Sequence, residues 1–212
     1  MPDIRLHCFG ESGNAYKAAL MLQLCGLAWT PVPVDFFNGE ARSPAWRAKV
    51  NAMGEVPVLE HGAKALTQSG LMLHYLASLT GKFGGASEQE REDIWRWILF
   101  DNHKFTANIA TLRFLCCFLK TGETPVTEFL RGRAKAAADI VDLHLAAATF
   151  MVGTQPSIAD LSLVGYLYYP EDYGIDWTRY AHIQRWLAAI KALPGWQGPY
   201  DLMARAPERR NR

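Results

Sequence analysis

The sequence has little of what marks several large protein classes. Its four cysteines, Cys8, Cys25, Cys116 and Cys117, include no C-x-x-C pair, and two are adjacent, a spacing unsuited to a disulfide framework or a zinc site. A reducing compartment, the cytosol, is therefore expected, and no metal is implied. No apolar run approaches the roughly 18 residues that span a bilayer. The opening MPDIRLHCFGESG lacks the apolar core of a secretion signal. Charge of one sign is also missing: 22 Lys+Arg stand against 21 Asp+Glu, so no global field gathers nucleic acid or holds an anionic membrane. No internal repeat or low-complexity tract appears.

What is present is length and patterning. A chain of 212 residues buries roughly 70% of its unfolded surface, enough for one large domain or two modest ones. The first eighty residues change period repeatedly. IRLHCF reads as a strand, Ala15 to Cys25 as a helix capped by Gly26, and WTPVPVDF and EVPVLEH as extended segments. KALTQS follows as a final strand, then Leu71 to Leu79 as a helix stopped at Gly81. The order is β-α-β, a linking segment, then β-β-α.

From Ser87 onward only helical spacing remains. Ile94, Ile98, Phe105, Ile109 and Leu112 form one stripe, and Leu130, Ala134, Ala137, Val141, Leu145 and Ala148 form another, predicting two long helices packed on each other. Ser157 caps a shorter helix, with Asp160 placed to reach back to the cap. A further helix, YAHIQRWLAAIKAL, ends at Pro194-Gly195. The glycine-rich, then charged, stretch Thr80 to Glu90 is the expected boundary. It separates an α/β domain at 1–80 from an all-helical domain at 88–205, and residues 206–212 read as a solvated basic tail.

The stretch MGEVPVLEHGAKALTQSGLMLHYLA, Met53 to Ala77, puts a proline into an apolar strand, where it donates nothing to a ladder. Alone, Pro57 reads as an edge proline after a turn. Together with GESGNAYKAALMLQLCGL, PSIADLSLVGYL and IQRWLAAIKALPGWQGPYDLM, however, the stretch resembles the cytosolic glutathione S-transferases over nearly the whole chain. That resemblance implies a thioredoxin-like domain followed by a helical one. It also implies a cis Val56-Pro57 bond that turns the backbone of Val56 outward, to pair with glutathione as an added strand.

Further expectations rest on the same resemblance. Gln68 and Ser69, where the last strand gives way to a helix, would hold the γ-glutamyl carboxylate, since unpaired N–H groups and the positive helix end attract an anion there. Ser69 is equally placed as an ordinary cap. Arg42 is the candidate for the glycyl carboxylate, with Trp46 and Asn38 as weaker ones. Glu55 departs from the lysine or glutamine often found there and has no assigned role.

Tyrosine-type members of the family it resembles carry their hydroxyl at the end of the first strand, where this chain has LHCFG, so the resemblance implies a serine-type enzyme of the bacterial kind. Ser12 at the first helix mouth would stabilise the thiolate, with Asn14 as the alternative. The C-x-x-C of thioredoxins is replaced by Ser12 to Ala15, which excludes dithiol redox chemistry. Phe100, His103, Phe105 and Tyr166 would line a pocket between the domains for an apolar electrophile, although an aromatic stripe at helical spacing is also what a core looks like. The implied protein is a homodimeric, cytoplasmic transferase of detoxification type, using glutathione as co-substrate and no metal. A non-catalytic binding module, or a glutathione-dependent isomerase or peroxidase, is the other reading.

Overall fold

The computed structural model describes residues 3–210. The chain forms two compact units, Met1–Lys82 with Pro194–Arg212, and Phe83–Leu193. Among the described residues no helix is long and apolar enough to cross a membrane.

The first unit is built on a four-stranded mixed sheet of order β2-β1-β3-β4, the thioredoxin-like arrangement expected. Strand β1 (Ile4–Cys8) runs parallel to β2 (Thr30–Pro33), with Cys8 opposite Pro33, and antiparallel to β3 (Val58–His61), with Leu6 opposite Leu59. Strand β4 (Lys64–Thr67) pairs antiparallel with β3. Pro31 and Pro33 are tolerated because β2 lies at an edge, where a missing N–H costs no ladder bond.

Helix α1 (Gly13–Cys25) closes at Gly26, whose φ of 69° only glycine adopts readily. Helix α2 (Pro44–Lys49) occupies what reads in sequence as a linker. Its signal is short but physical: the Ser43 side chain accepts from the Trp46 N–H, and Pro44 stands in the first turn, where its missing N–H costs nothing. Helix α3 (Ser69–Thr80) packs on α1 through buried Met72, Leu73 and Leu76.

In the second unit, α4 (Glu88–Phe100) and α5 (Thr106–Arg113) are joined by a π-helical turn at Asp101–Phe105, and a second such turn follows at Phe114–Phe118. One long helix was expected here. The added residues leave the apolar stripe intact, because Ile94, Ile98, Phe105, Ile109 and Leu112 are all buried. Helix α6 (Pro125–Ala146) packs against α5 with Ala134, Ala137, Val141 and Leu145 inward.

Helix α7 (Ile158–Leu163) starts with the capping box read from the sequence, and α8 (Ala181–Lys191) packs on α6. Asp160 does more than cap. It accepts from the Ser157 N–H and hydroxyl at 2.8 and 3.0 Å, from the Met151 N–H at 2.8 Å and from the Trp186 indole N–H at 2.8 Å. A fully buried carboxylate is tolerable only with such a set of donors.

Residues beyond Leu193 depart from the expected division. They group with the first unit, not with the helical one. The short α9 (Pro199–Leu202) lies on α1, and the Tyr16 hydroxyl donates to the Gln197 carbonyl at 2.8 Å. The described part of the basic tail is largely exposed, yet its backbone and the residues just before it are tied to the first unit. The Gly10 N–H donates to the Ala204 carbonyl at 2.7 Å, the Ala206 N–H to Glu11 at 2.9 Å, and the Arg210 N–H to Asn38 at 2.8 Å. Residues 211 and 212 of that tail lie outside the described residues.

Candidate functional site

Three pieces of the first unit carry the groups singled out in the sequence. The loop after β1 delivers Ser12, which is 5% exposed and caps α1 by accepting from the Ala15 N–H at 3.1 Å. That bond uses an oxygen lone pair. A hydroxyl has one hydrogen as well, and among the described residues no acceptor takes that of Ser12. Capping and donation to a ligand are thus compatible, and the accepted N–H bond polarises the hydroxyl towards donation.

The peptide bond Val56-Pro57 is cis. Pairing of β3 with β1 begins only at Val58, and no backbone hydrogen bond engages Val56 among the described residues. The Val56 side chain packs beside Val34, Ala41, Trp46 and Val58, so the loop carrying Arg42 rests on the same apolar cluster.

At the mouth of α3, Gln68 takes the cap position with φ 67° and makes no side-chain cap bond. A positive φ is costly for a residue with a Cβ, and such outliers are commonly held at binding sites. The first N–H groups of α3 therefore lack a side-chain acceptor at the cap, and the helix is long enough for its macrodipole to count. The Gln68 amide is turned away from them, donating to Glu55 at 2.9 Å. Glu55, given no role from sequence, thus orients Gln68. Asn51 in turn holds Glu55 by donating to its carbonyl at 3.0 Å. Nothing in the local pattern announces either contact.

Ser69 is not the cap itself. Its hydroxyl donates to the Asn14 side-chain oxygen at 3.3 Å, which joins the mouths of α1 and α3 directly. Asn14 accordingly faces α3.

Arg42 is exposed on a short 3-10 turn, Glu40–Arg42, and lines a cavity of about 850 Å³ with Phe37, Asn38, Gly39, Ser43, Arg209 and Arg210. Trp46, by contrast, is 6% exposed and packs edge-on against His7 at 5.5 Å, as a floor to the loop. Phe9 stacks on Phe36 at 4.4 Å, and both meet Phe37 edge-on. These rings connect the Ser12 loop to the edge of the cavity. Cys8 is buried, and burial pushes its thiol up to about 12 against a small opposing hydrogen bond from Val32. It is no nucleophile at neutral pH.

The four expected pocket residues belong to the helical unit and separate there. Phe105 is 1% exposed and packs edge-on on Trp177, so it serves the core and not an open surface. Its place in the buried stripe explains this. Phe100 is half-buried against Trp97, Tyr166 is buried with Tyr169 beside it, and His103 is exposed on the π-helical turn. Sequence reading missed Arg113, which is 1% exposed, pairs with Glu171 at 2.9 Å and lies over the Tyr169 ring at 3.9 Å. Its position beside Leu112 on the buried stripe is the one signal that it points inward.

Among the described residues no group of three or more His, Cys, Asp or Glu is placed to hold a metal.

Two family models match the chain. The glutathione S-transferase N-terminal domain covers residues 12–79, and the glutathione S-transferase C-terminal domain covers 105–194. A crystal structure of glutathione S-transferase from Pseudomonas fluorescens Pf-5 is 30% identical, with a TM-score of 0.86 over 92% of this chain and 98% of that one. Maleylacetoacetate isomerase of Rhizobium meliloti is 28% identical over 81% of this chain and 83% of its own length. Elongation factor 1-gamma 3 of rice is 30% identical over 77% of this chain but only 40% of its own length. With both domains matched in order and a relative of nearly equal extent, the chain belongs to the glutathione S-transferase family.

Proposed function

We propose that the protein is a glutathione transferase of the serine-activating type, using Ser12 to hold the glutathione thiol as a thiolate for attack on an apolar electrophile. The observation that carries this reading is the state of the Ser12 hydroxyl: it accepts from the Ala15 N–H at the mouth of α1 and keeps its own hydrogen for a ligand. The helix dipole adds to the preference for an anion at that point. Lowering a thiol pKa by two units requires about 2.7 kcal/mol of preferential stabilisation of the thiolate, within reach of one charge-assisted hydrogen bond and a helix end together.

Glutathione would lie extended across the three pieces of the first unit. Its γ-glutamyl carboxylate meets the open N–H groups of α3 and Ser69, its cysteinyl backbone pairs with Val56 beside Pro57, and its glycyl carboxylate reaches towards Arg42. Asn14, engaged with Ser69, positions the α3 mouth and is a poorer candidate for the thiol. Phe100, His103 and Tyr166 remain candidates for contact with the electrophile, and a homodimer in the cytoplasm is the form in which this reading places the protein.

A second reading has support from the likeness to maleylacetoacetate isomerase over most of both chains. In it the same thiolate adds to a conjugated double bond and leaves again after rotation, so that glutathione is regenerated. The likeness to an elongation factor subunit keeps a non-catalytic module in view. Calorimetry with glutathione, followed by assays with an aryl halide and with a cis-enone diacid, separates the three. Glutathione bound and consumed with the halide supports the transferase. Turnover of the diacid without net loss of thiol supports the isomerase. Absence of binding at millimolar glutathione contradicts both enzymatic readings.

A further inference from the structure

The cavity beside Arg42 is lined from two distant stretches of the chain. Phe37, Asn38, Gly39, Arg42 and Ser43 come from the segment between β2 and α2, and Arg209 and Arg210 come from the segment that follows α9. That second segment is held along its length. Gly10 and Glu11, the two residues before Ser12, bind Ala204 and Ala206, and the Glu11 carboxylate also faces Arg205 at 3.8 Å. A Cβ on Gly10 would meet the carbonyl oxygens of Met203 and Ala204 at 3.0 Å, so glycine there permits the close approach. Further on, Asn38 uses both ends of its amide, donating to the Glu208 carbonyl at 3.1 Å and accepting from the Arg210 N–H at 2.8 Å.

Three arginines, Arg42, Arg209 and Arg210, thus line one opening. Arg210 is partly engaged, at 3.8 Å from Asp35, whereas no side-chain hydrogen bond or ion pair engages Arg42 or Arg209 among the described residues. Like charges gathered on a wall repel one another unless an anion is shared between them, and guanidinium groups suit a carboxylate through paired N–H donors. The opening lies on the loop that packs beside Val56. A peptide paired with Val56 through its middle residue carries its last carboxylate roughly 7 Å further on, two extended residue lengths at most.

We propose that the segment following α9 completes the wall of the glutathione cleft with Arg209 and Arg210, which join Arg42 to bind the terminal carboxylate of the peptide ligand. This rests on the reading that the cleft takes glutathione. The segment thereby contributes to ligand selection at one end and braces the Ser12 loop at the other.

The test compares glutathione with its glycyl ethyl ester, in which a neutral ester replaces that carboxylate, by calorimetry on the wild-type protein and on the double variant Arg209→Ala/Arg210→Ala. The expected result is a Kd for glutathione raised about 5- to 20-fold at low salt, an effect that shrinks at high salt because the groups are exposed. The ester's Kd should change less than about twofold between the two proteins, and Arg209→Lys/Arg210→Lys should restore part of the glutathione affinity. Equal Kd values for glutathione in wild type and double variant overturn the proposal, as does an equal loss for glutathione and ester. If the wild type binds neither ligand, the underlying glutathione reading fails, an outcome distinct from binding that ignores the arginines.

Discussion

The Ser69 hydroxyl donates to the Asn14 side-chain oxygen at 3.3 Å, and through this bond the mouths of α1 and α3 are tied together. A hydroxyl has a single hydrogen. For Ser69 to donate to a ligand carboxylate, it must leave Asn14, and the carboxylate must offer the stronger acceptor. A charged acceptor does so, by roughly a factor of two over a neutral amide oxygen.

Ser69→Ala is therefore expected to weaken glutathione binding by about 1–3 kcal/mol, the cost of an unmet contact to a charged group. Asn14→Ala should change Kd by less than about 1 kcal/mol, because the loss of the tie between the two helix mouths is offset by the removal of an acceptor that competes with the ligand for the Ser69 hydroxyl. Titration calorimetry of the two variants checks this. A larger loss for Asn14→Ala than for Ser69→Ala would reverse the assignment.

Asp160 supplies a stability prediction in the helical unit. Asp160→Ala leaves the Met151 and Ser157 N–H groups and the Trp186 indole without their acceptor, all of them in the interior. The expected loss is about 3–5 kcal/mol in denaturant unfolding. Ser157→Ala, which removes one hydroxyl from the same cap, should cost about 1 kcal/mol. Comparable losses for the two would show that the carboxylate does no more than cap.

Cys8 predicts a pH dependence. Its thiol stays protonated up to about 12 in the fold and ionises near 8.5 in an unfolded chain. Because the folded value is the higher one, the stabilisation is complete below the unfolded value and is lost as pH rises towards the folded one. Each unit within that window removes about 1.4 kcal/mol. The stability of wild type minus that of Cys8→Ala should fall by about 2 kcal/mol between pH 9 and 10.5. A difference that stays flat over that window would mean the thiol is not held protonated.

The order of strands and helices was legible because local chemistry marks it. Glycines stand where α1 and α3 end, a proline precedes β3, and Ser157 with Asp160 opens α7. Helix α2 escaped because six residues show no periodicity, leaving Ser43-Pro44 as its sole sign. The course of residues 194–210 escaped for a different reason. Its bonds join residues far apart in sequence, such as Ala206 to Glu11 and Arg210 to Asn38, and no local pattern encodes them.

The candidate site divides in the same way. Ser12, Ser69 and Val56-Pro57 sit at ends of elements, where sequence signals are strongest. Glu55 and Arg113 act through partners thirteen and fifty-eight residues away. Phe105 reads as a pocket residue and is buried in the fold, because a stripe of aromatic and apolar residues reads alike whether it faces a core or a pocket.

The central claim is that Ser12 makes the thiol of bound glutathione acidic. Its most direct measurement is the ultraviolet thiolate absorbance of the glutathione complex, titrated with pH in wild type and Ser12→Ala at saturating ligand. The account predicts a thiol pKa about two units below that of free glutathione in the wild type, and a return of about one to two units upward in the variant. Coincident titration curves for the two proteins would contradict it.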